Sequence, residues 1–298
     1  MKPGEAPKGE PLRAALRDAL AGRPAALDDL FMRHGGGPDP RPNLKLAAAF
    51  GDEVAALDDD GRAPARVLAR LAAEDAAPDT AQVFAPMAAA FGWLARARAG
   101  HDVELAWDAL RELAGDERAP VREATRTALQ AFALTRARAS ELLAHATEWL
   151  EAENREVRYE AAGVVVETFG DRQVLAAARL TDVQSYLSRA IAEAADAPRS
   201  AERSDGRRRL LVALPRTLAG VVAGGAESDV AWLEAECIAA KQPDVRAALS
   251  TCVQRVQAAS PVDGRRVRAA LEGSAKPPRD PTRIRPGAGR GKASRHTK

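Results

Sequence analysis

Apolar residues in this 298-residue chain recur at helical spacing, and the clearest stretch, from Asp102 to Gly170, contains one unit twice. Each copy has an amphipathic helix, a short polar turn and a second helix opening on Val-Arg. The copies read DVELAWDALRELAGDERAPVREATRTALQAF and ASELLAHATEWLEAENREVRYEAAGVVVETFG. In the first, Val121, Ala124, Ala128, Leu129 and Phe132 share one helix face, and Pro120 suits the first turn, where its missing N–H loses nothing. In the second, Val157, Ala161, Val164, Val165 and Phe169 repeat the pattern, and Gly170 reads as the residue that ends the helix. Val157 lies 36 residues beyond Val121, and Val245 a further 88, close to two more units. A hairpin of this size cannot bury its apolar face alone, so neighbours must stack into a continuous core.

The remaining chain carries helix signals of the same kind. Pro11 and Pro24 open helices ending near Gly22 and Arg33, and Asn43 caps a third. Pro64 opens the next, and Asp79 or Thr80 caps a longer one that Pro86 is expected to kink or split. Thr181 and Ser228 read as N-caps and Pro243 and Pro261 as first-turn residues. Residues 196–208 read as the longest interior loop, and Pro215 as a kink. The one β-like run, Val164-Val165-Val166, sits inside a helical period. The fold predicted is all-α, a right-handed α-α superhelix of roughly a dozen helices.

The turn-and-helix residues resemble those of HEAT repeats, which place Asp or Asn in the turn, then Val-Arg, then small apolar residues. Asp116 with Val121-Arg122-Ala124 matches this, as do Asn154 with Val157-Arg158-Ala161-Ala162 and Asp244-Val245-Arg246 with Ala248. The resemblance is clearest over Asp102–Gly170 and extends to Ser228–Ser260. It implies a HEAT-like solenoid, and in that family the arginine after Val commonly bridges the turns of adjacent repeats.

Composition changes this picture in two places. Only 4% of residues are aromatic, which suits close packing of Ala- and Leu-rich helices. The formal charge of +2 conceals an uneven distribution. Lys276 to Lys298 holds eight basic residues and one acid, a net +7, which leaves −5 on the rest. The expected organisation is a disordered 1–10, a solenoid over 11–272 and a disordered basic tail over 273–298. No secretory signal precedes residue 11, and the longest uncharged run, Thr80–Ala95, is broken by Gln82, Pro86 and Gly92 and is too short for a membrane span. Cys237 and Cys252 make no disulfide framework and read as buried thiols. A cytoplasmic monomer without membrane contact is expected.

No Walker loop, HExxH, CxxC or GxSxG is present, and His34, His101, His145 and His296 lack ligand spacing, so neither cofactor nor metal is expected. Gly35-Gly36-Gly37-Pro38 lacks the preceding strand of a phosphate loop, and Asp58-Asp59-Asp60-Gly61 lacks the later ligands of a calcium loop. Arg122 and Arg126 lie four apart on one face, and Arg155 and Arg158 occupy the matching place one repeat later. Stacked, they form either a ridge for a phosphate backbone or a set of struts paired with Glu123, Glu156 and Glu160. Arg283, Arg285, Arg290, Lys292 and Arg295 add electrostatic affinity for nucleic acid.

A further resemblance is to bacterial HEAT-like alkylpurine DNA glycosylases, which pair tryptophans with a carboxylate one helical turn later. It implies that aromatic faces meet the cationic base while the carboxylate stabilises positive charge on the sugar. Trp149 with Glu153, and Trp107 beside them, are the candidates here. Both differ from the family, since Glu153 replaces an aspartate and Trp107 is followed at that spacing by Arg111. The plainer reading is that Trp93, Trp107, Trp149 and Trp232 fill gaps between alanine-rich helices. Three functions therefore stand: a non-catalytic solenoid binding a macromolecule, nucleic acid among the candidates; a repair glycosylase; and a protein-interaction scaffold.

Overall fold

The computed structural model describes residues 9–36, 42–57 and 62–274. The tail arginines and lysine, Gly37-Pro38 and Asp58–Gly61 lie outside the described residues. Within them the chain forms fifteen α-helices and no strand. In order these are α1 (Glu10–Leu20), α2 (Ala25–His34), α3 (Leu44–Ala55), α4 (Arg62–Ala72) and α5 (Phe84–Ala99). Then follow α6 (Val103–Ala114), α7 (Ala119–Phe132), α8 (Arg136–Trp149), α9 (Arg155–Phe169) and α10 (Arg172–Ala177). The last five are α11 (Leu180–Ala195), α12 (Asp205–Val222), α13 (Glu227–Ala239), α14 (Pro243–Ala259) and α15 (Pro261–Gly273). Among the described residues no helix is long and apolar enough to cross a membrane.

The helices stack as an all-α solenoid of two layers. In one, α3, α5, α7, α9, α12, α14 and α15 touch in succession. In the other, α4, α6, α8 and α11 do so, and each packs against the first layer. One apolar core runs from Leu12 to Leu271 through both layers. The apolar positions of the two tandem units, Val121 to Phe132 and Ala161 to Phe169, lie in it as the spacing predicts, whereas Val157, expected on the same face, is only half-buried. Both cysteines are buried and unpaired, and burial pushes their thiols up to about 12.

Several local expectations need correction. Pro86 does not interrupt a helix: α5 begins at Phe84, after a short 3-10 turn at Ala81–Val83, and Pro86 falls in its first turn. Pro215, by contrast, lies inside a helix as expected, α12, which ends at Val222. The 196–208 loop is shorter than expected, because Ser204 caps α12 by accepting from the Arg207 amide and the helix starts at Asp205. Thr181 and Ser228 lie inside their helices rather than at the caps. Asn43 caps α3 as expected, and Asn154, read only as a turn residue, caps α9, each through its side-chain oxygen.

Gly170 corrects a reason rather than a position. Its φ of −71° is right-handed, so the backbone does not require glycine there. Close approach to α12 does: a Cβ would lie 2.9 Å from Thr217 Oγ1. The junction between the tandem units is equally close, since a Cβ on Gly115 would lie 2.6 Å from Val157 Cγ1.

Candidate functional site

The three Val-Arg arginines make one kind of contact. Arg122 donates to the Asp116 carbonyl of its own turn at 2.5 Å and lies 3.6 Å from Glu160 on α9. Arg158 donates to the Leu150 carbonyl at 3.5 Å and pairs with Glu193 on α11 at 3.0 Å. Arg246 donates to the Ala240 carbonyl at 3.1 Å and to Ser274 Oγ at 2.6 Å, just beyond α15. Each ties its own turn to an element further along the chain. Helix C-terminal carbonyls lack intrahelical donors, so a guanidinium fork satisfies them while bridging repeats.

The proposed ridge therefore divides. Arg126 pairs with Glu123, and this hydrogen bond raises its pKa further. Arg122, Arg126 and Arg158 are held by acceptors within the protein, whereas Arg155 is exposed at the first residue of α9.

Between α7, α9 and α12 these contacts converge into a closed seam. The Glu160 side chain, 4% exposed, lies between Arg122 on α7 and Arg209 on α12. Glu156, one turn earlier on α9, accepts from the Gly206 amide at 2.6 Å. Loss of water lowers the pKa of Arg122, and of Arg209, which Arg122 lowers further by like charge. Glu167 is an exposed residue at the rim of the seam, and the partial desolvation of its carboxyl by neighbouring side chains raises its pKa against the opposing pull of Arg126. A space of about 240 Å³ remains beside these groups.

The tryptophan candidates lie elsewhere. Trp107 is in the core, stacked on His145 at 4.5 Å and edge-on to Phe132 at 5.5 Å. Trp149 lies 6.2 Å from Trp107 and is also buried. Glu153 is exposed in the turn before α9. The structure brings the two indoles together but presents neither face to solvent. Trp93 is buried too, and the half-buried Trp232 donates to Ser188 Oγ at 3.0 Å.

The other side of α12 is different. A cleft of about 670 Å³ opens between α12 and α14, bordered by Arg203, Arg207, Arg208 and Arg255 with Glu202 and Asp244. Its apolar wall includes Leu211, Val212 and Pro215 from α12. Arg207 is 1% exposed. It donates to the Ala194 and Glu202 carbonyls and pairs with Asp244, each at 2.9 Å. Its Nη2 is buried with no hydrogen-bond partner among the described residues. Sequence reading assigned Arg207 to a loop and passed over the cleft. The available signal was Arg207-Arg208-Arg209 running directly into the apolar Leu210-Leu211-Val212.

A smaller groove of about 330 Å³ lies between α3, α5 and α7. Alanines, Phe91 and Phe132 line it, with Asp52 and Arg98 as its charged residues.

No family model matches this chain, and no curated protein matches it. Among solved structures it is similar to the designed armadillo repeat protein YIII(Dq)4CqI. That match has 14% sequence identity and a TM-score of 0.39, covering 89% of this chain and 100% of the other.

Proposed function

We propose that this chain is a non-catalytic, HEAT-like repeat scaffold whose stacked helices bind a protein partner. The observation that carries the reading is the internal engagement of the repeat arginines. Arg122, Arg126 and Arg158, which the sequence offers either as a phosphate-binding ridge or as struts, already meet carboxylates. A phosphate backbone would have to compete with each of those pairs, and residues 1–275 carry a net −5. Contact with nucleic acid then falls to the tail, through Arg283, Arg285, Arg290, Lys292 and Arg295, as a sequence-independent electrostatic attraction.

The glycosylase reading needs aromatic faces and a carboxylate open to one nucleotide. Burial of Trp107 and Trp149 weighs against it. On the scaffold reading, alkylated duplex loses no base in the presence of the full chain. Release that disappears in Glu153→Gln would restore the enzymatic reading.

The test of the scaffold reading is binding to labelled duplex DNA across a salt series, comparing the full chain with one ending at Ser274. The cut follows Ser274 because its Oγ donates to the Cys237 carbonyl and accepts from Arg246. The full chain is expected to bind with an affinity that falls steeply with salt, and the shortened chain not to bind. Salt-sensitive retention of duplex by the shortened chain would overturn the reading and return the DNA contact to the repeats.

A further inference from the structure

We propose that the cleft between α12 and α14 is a docking site for an acidic, aliphatic peptide segment of a partner protein. This deepens the scaffold reading and rests on it. Three independent features of the cleft define the ligand.

The first is charge. Four arginines border the cleft against two carboxylates, Glu202 and Asp244. Two of the arginines have acidic neighbours, Arg207 with Asp244 and Arg208 with Asp205. The wall is cationic within a body of net negative charge, so it favours an anion locally.

The second is the orphaned donor. A buried guanidinium nitrogen without an acceptor is disfavoured, because it has left water and gained no partner. Arg207 Nη2 is in that position on a side chain that borders the cleft, with no surface of its own open to it. A carboxylate in the cleft supplies an acceptor of opposite charge once the guanidinium turns toward it, and the planar fork suits it better than a point charge would.

The third is the apolar wall. Val212 is 73% exposed, the most exposed large hydrophobic residue among those described. It stands with Leu211 and Pro215 on the wall between the arginines. An inorganic anion would leave that surface wet, whereas an aliphatic side chain covers it. Among the described residues no aromatic side chain lines the cleft, so they offer none of the stacking platform that single-stranded nucleic acid uses. A peptide bearing alternating carboxylate and aliphatic side chains satisfies all three features.

The experiment uses the full chain and a fluorescein-labelled peptide of alternating Glu and Leu, with the Gln-Leu peptide of equal length as control. Fluorescence anisotropy is expected to show saturable binding of the Glu-Leu peptide, about tenfold tighter than the control. Val212→Asp, which removes the aliphatic contact and repels the ligand, is expected to weaken binding by about tenfold or more. Arg255→Glu, an exposed substitution on the α14 side, is expected to act in the same direction. Absence of binding, equal binding of the two peptides, or indifference to both substitutions would overturn the proposal. Displacement of the peptide by a labelled oligonucleotide whose own binding needs Val212 and Arg255 would overturn it in favour of nucleic acid. Failure in the peptide titration removes the cleft and leaves the scaffold reading standing. Duplex retention by the chain ending at Ser274 removes the scaffold reading whatever the peptide does.

Discussion

Helix α12 borders two arginine-rich places that are chemically opposite. Toward α9, Arg209 and Arg122 close on the buried Glu160, and little room is left. Toward α14, the arginines outnumber the carboxylates, one donor is unsatisfied, and the space is nearly three times larger. Adjacent residues of one run, Arg207, Arg208 and Arg209, are divided between the two. The density of arginine in a helix therefore says little about function. What separates a strut from a site is whether the facing helix supplies enough acceptors. Helix α9 places Glu156 and Glu160 one turn apart opposite α12, whereas α14 offers the cleft one carboxylate, Asp244, already paired with Arg207, beside Ala247, Ala248, Thr251 and Arg255.

The sharpest way to break this contrast is to remove the acceptor from the closed side. Glu160→Ala leaves two guanidiniums facing each other, and a loss of about 3 kcal/mol is expected in urea unfolding. That figure is already reduced from the upper range because the Arg209 side chain is 39% exposed. A midpoint unchanged from the parent would mean that the seam does not hold the repeats together. Next comes the junction of the tandem units. Gly115→Ala drives a methyl into Val157, for which an overpacking loss of roughly 1–2 kcal/mol is expected by the same measurement. No loss there would show that the repeats separate easily.

On the open side the expectation reverses. Val212→Asp should leave unfolding within about 0.5 kcal/mol of the parent, since an exposed position holds nothing in place. A large loss of stability would make the cleft part of the core rather than a binding surface.

The smallest expected effect concerns Glu167 in the seam, and its sign follows from the raised pKa. Because the folded-state pKa lies above the unfolded one, the folded protein binds more protons between the two, and stability falls as pH rises through that window. Glu167→Gln lacks this fall. Its stability relative to the parent should therefore rise as pH rises from the ordinary carboxylate range, by no more than about 0.5 kcal/mol after solvent screening. A difference that shrinks with pH would reverse the assignment and make Arg126 the dominant neighbour.

Local pattern made the fold legible. Helical spacing of Val121 to Phe132 and of Val157 to Phe169, the cap at Asn43, and the first-turn prolines all act within a few residues of chain. Their consequences are visible without a partner element. The bridging role of the Val-Arg arginines was an expectation carried by the resemblance to HEAT repeats rather than by the local pattern. Pro86 and Pro215 were harder to judge, since their effect depends on where a helix begins and on what packs around it.

The site was far less legible, and Arg207 shows why. In sequence it stands in a polar, charged stretch that resembles a loop. Folded, Ser204 starts a helix there, the Ala194 and Glu202 carbonyls draw the guanidinium inward, and α14 arrives from some forty residues downstream without an acceptor for its last nitrogen. Trp107 and Trp149, read from sequence either as ligand contacts or as gap-fillers, lie in a buried aromatic cluster, in line with the second and plainer of those readings. The chain alone determined that helices form and must stack, because propensity, capping and periodicity are local properties. Only the tertiary structure decided which charges are matched and which are left over, because burial and pairing depend on residues that meet across the solenoid.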